Sequence, residues 1–231
     1  MHRGSGTSDG TRALAGVAAA LVLAAGCTTA AAARPAPAVA VTAAPAAAPA
    51  AAPFPADRTD PRTANATLAI PAIGLTDLRV VPYEGTTDDG PGTRIQDRGL
   101  AASPYGEHGG VRPGEIGNYL VTAHRLSAGG PFHDVPSLGT GDRVLVRSQG
   151  TVYEYRITGT RQTSFRSARS LAEQRAEVPG APGEKPTRAM ITLSTCATPE
   201  DDAAGNHWRD AHHNPEHRID KIGVLVSSRP S

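Results

Sequence analysis

The sequence predicts a mainly-β domain, a barrel or sandwich carrying one or two short helices, held at the end of an N-terminal segment that builds no core. Three observations point there. From residue 67 onward, short apolar or alternating runs recur between Gly, Pro and Asp, which is the pattern of strands rather than helices. Helical periodicity is almost absent. The chain of 231 residues has 25 Gly and 20 Pro but only 4% aromatic residues, and much of the alanine and proline bias lies ahead of those runs.

The first elements concern export. Twelve polar residues containing Arg3 and Arg12 precede Ala13 to Gly26, an uncharged apolar run of signal-peptide length. The run ends at Cys27 behind Ala25 and Gly26, which resembles a bacterial lipoprotein box and makes Cys27 a candidate lipidation site. Left uncleaved, Ala13 to Ala33 is about long enough to span a bilayer at about 1.5 Å rise per residue. Either way the chain is tethered on the outer face of the cell membrane. Ala30 to Pro55 is almost wholly Ala, Pro and Val, with prolines at 35, 37, 45, 49, 53 and 55. Such a stretch favours an extended, semi-rigid spacer. The expected organisation is therefore a signal or anchor over residues 1–29, a linker over 30–64 and a folded domain over 65–231.

Within the domain the candidate strands, in order, are Thr67 to Ile70, Leu78 to Val81, Asn118 to Thr122, Arg143 to Arg147, Val152 to Thr158, Met190 to Thr195 and Ile222 to Ser227. The clearest is Val152 to Thr158, where Val152, Glu154 and Arg156 alternate with Tyr153, Tyr155 and Ile157. Gln149-Gly150 closes a hairpin into it. The best helical segment is Ser167 to Arg175, with Ser167 or Ser170 as N-cap.

Composition also excludes. A formal net charge of +1 offers no broad cationic footprint for nucleic acid. Two cysteines exclude a disulfide-stapled scaffold and a four-cysteine zinc site. Cys196 follows the strand Met190 to Thr195, so its thiol emerges at a strand end. A lone cysteine is more often a small buried hydrophobe than a nucleophile, but in an exported protein a leftover thiol risks oxidation, and its retention points to a chemical use. His124 also closes a strand, and Arg218 precedes the apolar Ile219.

Thr192 to Cys196 (TLSTC), Ala123 to Arg125 (AHR) followed by PFHD at Pro131 to Asp134, and His217 to Asp220 (HRID) together resemble a sortase. The similarity begins with IPAIGL at Ile70 to Leu75 and EGT at Glu84 to Thr86, runs to about Val226, and is most like the class E sortases of actinobacteria. The resemblance implies a closed eight-stranded β-barrel and a cysteine transpeptidase with His124, Cys196 and Arg218 as catalytic residues. Cys196 would attack the threonine carbonyl of a sorting signal to form a thioacyl-enzyme. His124 would protonate the departing amine, and Arg218 would hydrogen-bond the oxyanion. Thr195 is carried over as a substrate-binding residue, and His133 as a structural residue of the loop beside His124. The implied substrates are secreted proteins with a C-terminal signal of the LPxTG or LAxTG kind, and the acceptor an amine on a peptidoglycan precursor or stem peptide. No cofactor and no metal are implied, and no nucleic-acid partner.

Ala197 to His217 separates the cysteine from the arginine by more than the short loop that class E members often have. It holds His207, His212, His213, His217 and Trp208. Three readings stay open: a solvated loop, a lid that contacts substrate through Trp208, and a zinc site from His213, His217 and an acidic residue, which Asn214-Pro215 opposes by breaking the helix it needs. Arg209 is a rival to Arg218, which is preferred because a strand follows it. Outside the sortase reading stand an L,D-transpeptidase, for which Leu193-Ser194-Thr195-Cys196 lacks the expected glycine, and a non-catalytic exported lipoprotein that binds the wall with Cys196 buried.

Overall fold

The computed structural model describes residues 61–231. The apolar run from Ala13, the possible lipidation site Cys27 and the alanine-proline stretch from Ala30 lie outside the described residues. Eight strands close into a barrel in the order β1-β2-β3-β4-β7-β8-β6-β5. They are β1 (Ala66–Ile70), β2 (Leu75–Glu84), β3 (Ala101–Tyr105), β4 (Gly117–Thr122), β5 (Arg143–Ser148), β6 (Thr151–Ser164), β7 (Ala189–Cys196) and β8 (His217–Pro230). Closure leaves no free sheet edge to pair with another chain. Among the described residues three α-helices accompany them, one more than the one or two expected: α1 (Gly90–Gln96), α2 (Ala168–Arg175) and α3 (Thr198–Ala203). Among the described residues no helix is long and apolar enough to cross a membrane.

Each expected strand is present and longer than the run that marks it. β6 follows the alternation as read: Tyr155 and Ile157 join the core, while Glu154 lies between Arg143 and Arg156, with both ion pairs at 3.0 Å. The hairpin from β5 to β6 turns at Gln149 (φ 48°) and Gly150 (φ 75°). Two consecutive left-handed residues match the twist of the strands they join, which is why glycine stands there. α2 starts where expected, with the Ser167 hydroxyl accepting from the Ser170 N–H at 3.2 Å. The strand that sequence reading missed is β3, Ala-Ala-Ser-Pro-Tyr, whose small residues carry no alternation. Its place is set by neighbours, in parallel register with β2 and antiparallel contact with β4.

The barrel is filled by Leu68, Ile70, Val80, Val121, Val144, Val146, Tyr155, Ile157, Ile191 and Leu193, none more than 1% exposed. At roughly 1.5–3 kcal/mol for each fully buried side chain of this size, this core is the largest stabilising contribution. It fixes three strand ends, those of β4, β7 and β8, at one rim.

Candidate active site

β4 and β7 are parallel neighbours, in register from Gly117↔Ala189 to Thr122↔Ser194. Two residues further on, the same register brings His124 beside Cys196. Three hydrogen bonds hold that continuation. The Ala123 N–H donates to the Ser194 carbonyl at 3.3 Å, the Thr195 hydroxyl donates to the Ala123 carbonyl at 2.9 Å, and the Phe132 N–H donates to the His124 carbonyl at 3.0 Å. β8 flanks β7 on its other side in antiparallel register, with Cys196 directly opposite Arg218. Opposed residues on antiparallel strands share a face, and here Arg218 Nη1 donates to Cys196 Sγ at 3.1 Å. The register thus assembles His124, Cys196 and Arg218 from three adjacent strand ends.

Each of the two basic residues has an aspartate beside it. His124 Nε2 lies 2.9 Å from Asp97 Oδ1, on the residue that caps the C-terminus of α1. Arg218 Nη2 reaches Asp88 Oδ1 at 3.4 Å, and its guanidinium carbon sits 4.1 Å from the centre of the Phe165 ring, within cation–π range. Burial pushes the Cys196 thiol above its ordinary value; Arg218 pulls it down, and Asp88 and Asp210 push it up. The resting thiol is thus held mainly protonated at neutral pH. Arg125 donates to the Cys196 carbonyl at 3.3 Å and pairs with Glu200.

Beneath the thiol lies a buried polar network. Asp220, 1% exposed, accepts from the Thr163 hydroxyl at 2.5 Å and from Gln174 Nε2 at 2.9 Å. Burial raises the Asp220 carboxyl above its ordinary range against these hydrogen bonds. Gln174 Nε2 also donates to the Ser194 hydroxyl at 3.1 Å, and Gln174 Oε1 accepts from the Thr87 hydroxyl at 2.9 Å. Every polar group of Gln174 therefore ties α2 to the strands or to the turn carrying Asp88. None of Asp88, Asp97, Gln174 or Phe165 was singled out from sequence; the one available signal was Asp89-Gly-Pro, an N-cap ahead of a proline.

The segment 197–217 is ordered by its own bonds. Asp201, in α3, accepts from the His217 N–H at 3.0 Å and meets His217 Nδ1 at 2.7 Å. Asp210 Oδ1 accepts from the His212 and Asn214 N–H groups, both at 2.8 Å. Arg209 pairs with Asp202, so of the two candidate arginines it is Arg218 that reaches the thiol. Among the described residues no three His, Cys, Asp or Glu side chains form a cluster able to hold a metal ion, and His217 is committed to Asp201. Trp208 is half-buried beneath the Arg166 guanidinium at 5.8 Å. Thr195 is 1% exposed, its hydroxyl engaged with Ala123. His133 pairs with Asp134 at 2.7 Å at the surface, while its N–H donates to the Gly130 carbonyl at 2.8 Å.

Comparison with known proteins gives the family and the fold. The family model of the sortase domain matches residues 68–209, a span that includes His124 and Cys196 and stops before Arg218. Sortase SrtE1 of Streptomyces coelicolor is 30% identical over 145 residues, covering 61% of this chain and 38% of that protein. The chain thus spans about two fifths of the length of this curated relative. Among solved structures, sortase E1 from Streptomyces coelicolor with a tripeptide in its active site superposes with a TM-score of 0.54 at 23% identity, covering 74% of this chain and 92% of that one. Sortase E from Streptomyces avermitilis gives a TM-score of 0.50 at 25% identity, covering 71% and 89%. SrtA sortase from Actinomyces oris gives 0.54 at 20% identity, covering 72% and 82%.

Proposed function

The chain belongs to the sortase family and is class E-like, and from that premise we propose that it is a cell-surface cysteine transpeptidase acting through Cys196, His124 and Arg218. It cleaves a C-terminal sorting signal of the LAxTG or LPxTG kind after its threonine and joins the protein to an amine of a peptidoglycan precursor or stem peptide. The observation that carries this reading is the Arg218 N–H aimed at the Cys196 sulfur at 3.1 Å, with His124 at the end of the adjoining strand. A non-catalytic binder gives no reason for burying a guanidinium against a thiol. The tripeptide in the active site of the Streptomyces coelicolor relative supports a peptide as the first substrate. The apolar run Ala13 to Gly26 and Cys27 support an anchor on the outer face of the membrane.

In the proposed reaction the minority state in which Cys196 has given up its proton and His124 carries one is the reactive one: the thiolate attacks the threonine carbonyl, and Arg218 moves its hydrogen bond from sulfur to the developing oxyanion. His124 gives a proton to the departing amine as the C–N bond breaks, leaving a thioester. The acceptor amine then attacks that thioester, a new C–N bond forms, the C–S bond breaks, and its proton returns to His124. Substrate contact is assigned to the half-buried Trp208, over which Arg166 lies. The substrate-binding role of Thr195, buried and bonded to the Ala123 carbonyl, is instead to hold the ends of β4 and β7 together where the threonine residue would lie. Mass spectrometry of the purified protein with a panel of sorting peptides and amine nucleophiles tests the reading. Cleavage after threonine and transfer to an amine are expected, with Cys196→Ala abolishing both; full activity in that variant would sink the assignment.

A further inference from the structure

We propose that Asp88 is the positioning residue of Arg218, and that helix α2 holds Asp88 in place through Thr87. The two side chains are 130 positions apart in sequence, and each is almost fully enclosed: 3% of Arg218 and 8% of Asp88 is exposed. One guanidinium therefore has two tasks. Nη1 addresses the sulfur at 3.1 Å while Nη2 is drawn to Asp88 at 3.4 Å, and with the face of the guanidinium on Phe165 the arginine fork has one orientation left.

Asp88 is itself held. It sits at φ 62°, in the left-handed region that Asp and Asn tolerate better than most residues. On one side, Asp89 accepts from the Thr86 N–H at 3.0 Å and from the Gly92 N–H at 2.8 Å, capping α1. On the other, Thr87 is 2% exposed. Its hydroxyl donates to Gln174 and accepts from Arg175 Nε, both at 2.9 Å, and its carbonyl accepts from Arg175 Nη2 at 3.2 Å. Residues on both sides of Asp88 are thus fastened to different helices, and its unusual backbone conformation is imposed by that fastening. The chain of contacts runs from α2 to Thr87, to Asp88, to Arg218 and to the sulfur.

The role can be tested because Asp88 acts on the thiol in two opposing ways. Directly, its negative charge disfavours the thiolate; by holding Arg218 in place, it favours it. The other charged or titratable groups around Cys196 and its arginine are Asp210 from the segment before β8, Asp220 in the network beneath, His124 after β4 and Arg125 on the Cys196 carbonyl, and none of them is substituted in the variants below. The pH dependence of Cys196 alkylation, followed by mass spectrometry of its peptide in the full chain, reads the sign. A positioning role predicts that Asp88→Asn moves the thiol titration upward by at least about one pH unit, seen as about tenfold slower alkylation at neutral pH. In an Arg218→Met background the same substitution moves it downward, because only the direct charge remains. Thr87→Val, which leaves Asp88 in the chain but cuts its tie to α2, gives a smaller upward shift and serves where Asp88→Asn does not fold. A downward or absent shift for both single variants would overturn the proposal. The inference rests on the transpeptidase reading only for its meaning in turnover: if the wild-type chain formed no thioacyl adduct with any sorting peptide, that reading would fail, while the alkylation series would still decide the role of Asp88.

Discussion

The two basic residues of the site make a controlled comparison, since each meets an aspartate and the surroundings are opposite. Asp97 approaches His124 to 2.9 Å but is 59% exposed, whereas Asp88 stands 3.4 Å from Arg218 with both side chains under a tenth exposed. Distance alone would rank the histidine pair first. Burial reverses that order. An exposed ion pair is worth about 0.2–1 kcal/mol because water replaces either partner, while breaking a buried pair strands a charge and costs about 3–5 kcal/mol. The chemistry matches the difference. His124 must exchange protons with groups that come and go, so a partner at the water's edge suits it. Arg218 keeps its charge throughout and is useful only in one orientation, so it is enclosed between Phe165, Asp88 and the sulfur. The barrel rim has an adjustable half and a fixed half.

Breaking the fixed half at its centre has the largest expected effect. Arg218→Lys keeps the charge and discards the fork, so one ammonium cannot serve both the sulfur side and Asp88. Single-turnover thioacylation should fall by about 10²–10³-fold, as for loss of an oxyanion donor, with peptide binding largely retained; a fall of less than tenfold would mean that charge alone suffices. Next comes the network below. Gln174→Leu takes one hydrogen-bond partner each from Asp220, Ser194 and Thr87, at a cost of roughly 2–4 kcal/mol for groups this deeply buried. A drop in Tm of about 5–10 °C should follow for a domain of this size, with activity falling in step. An unchanged Tm would show that the network is not under strain when cut.

How much of this could be read in the sequence differs between the same two halves. β6 and β7 were legible because alternating or continuous β-branched runs admit one local conformation, and once both ends of β4 and β7 were placed, His124 and Cys196 followed as strand-end residues. Arg218 was chosen over Arg209 because a strand follows it, and the Cys196↔Arg218 register gives that choice its physical reason. β3 was not legible: Ala101 and Ala102 are fully buried yet carry too little side chain to form a pattern, and their strand exists because β2 and β4 leave a slot between them. α1 was hidden for a related reason, its Gly-Pro-Gly start reading as a turn until the Asp89 cap is seen. Asp88 is the extreme case. Nothing local marks it, since its importance is created by closure of the barrel, which brings the turn after β2 against the first residues of β8.

The smallest expected effect belongs to the adjustable half, and its size tests the comparison most sharply. Asp97→Ala removes an acceptor from His124 Nε2 but leaves the backbone of His124 pinned through Phe132, Ala123 and Thr195. Tm should stay within about 2 °C, the range for a surface pair. Thioacylation should slow by about three- to tenfold with KM unchanged, because the ring keeps its place and loses only part of its orientation. Asp97→Asn, which still offers a carbonyl oxygen to the Nε2 proton, should recover most of the rate. Should Asp97→Ala instead cost as much as Arg218→Lys, exposure would not be what separates the two halves, and His124 would depend on its aspartate as heavily as Arg218 does on Asp88.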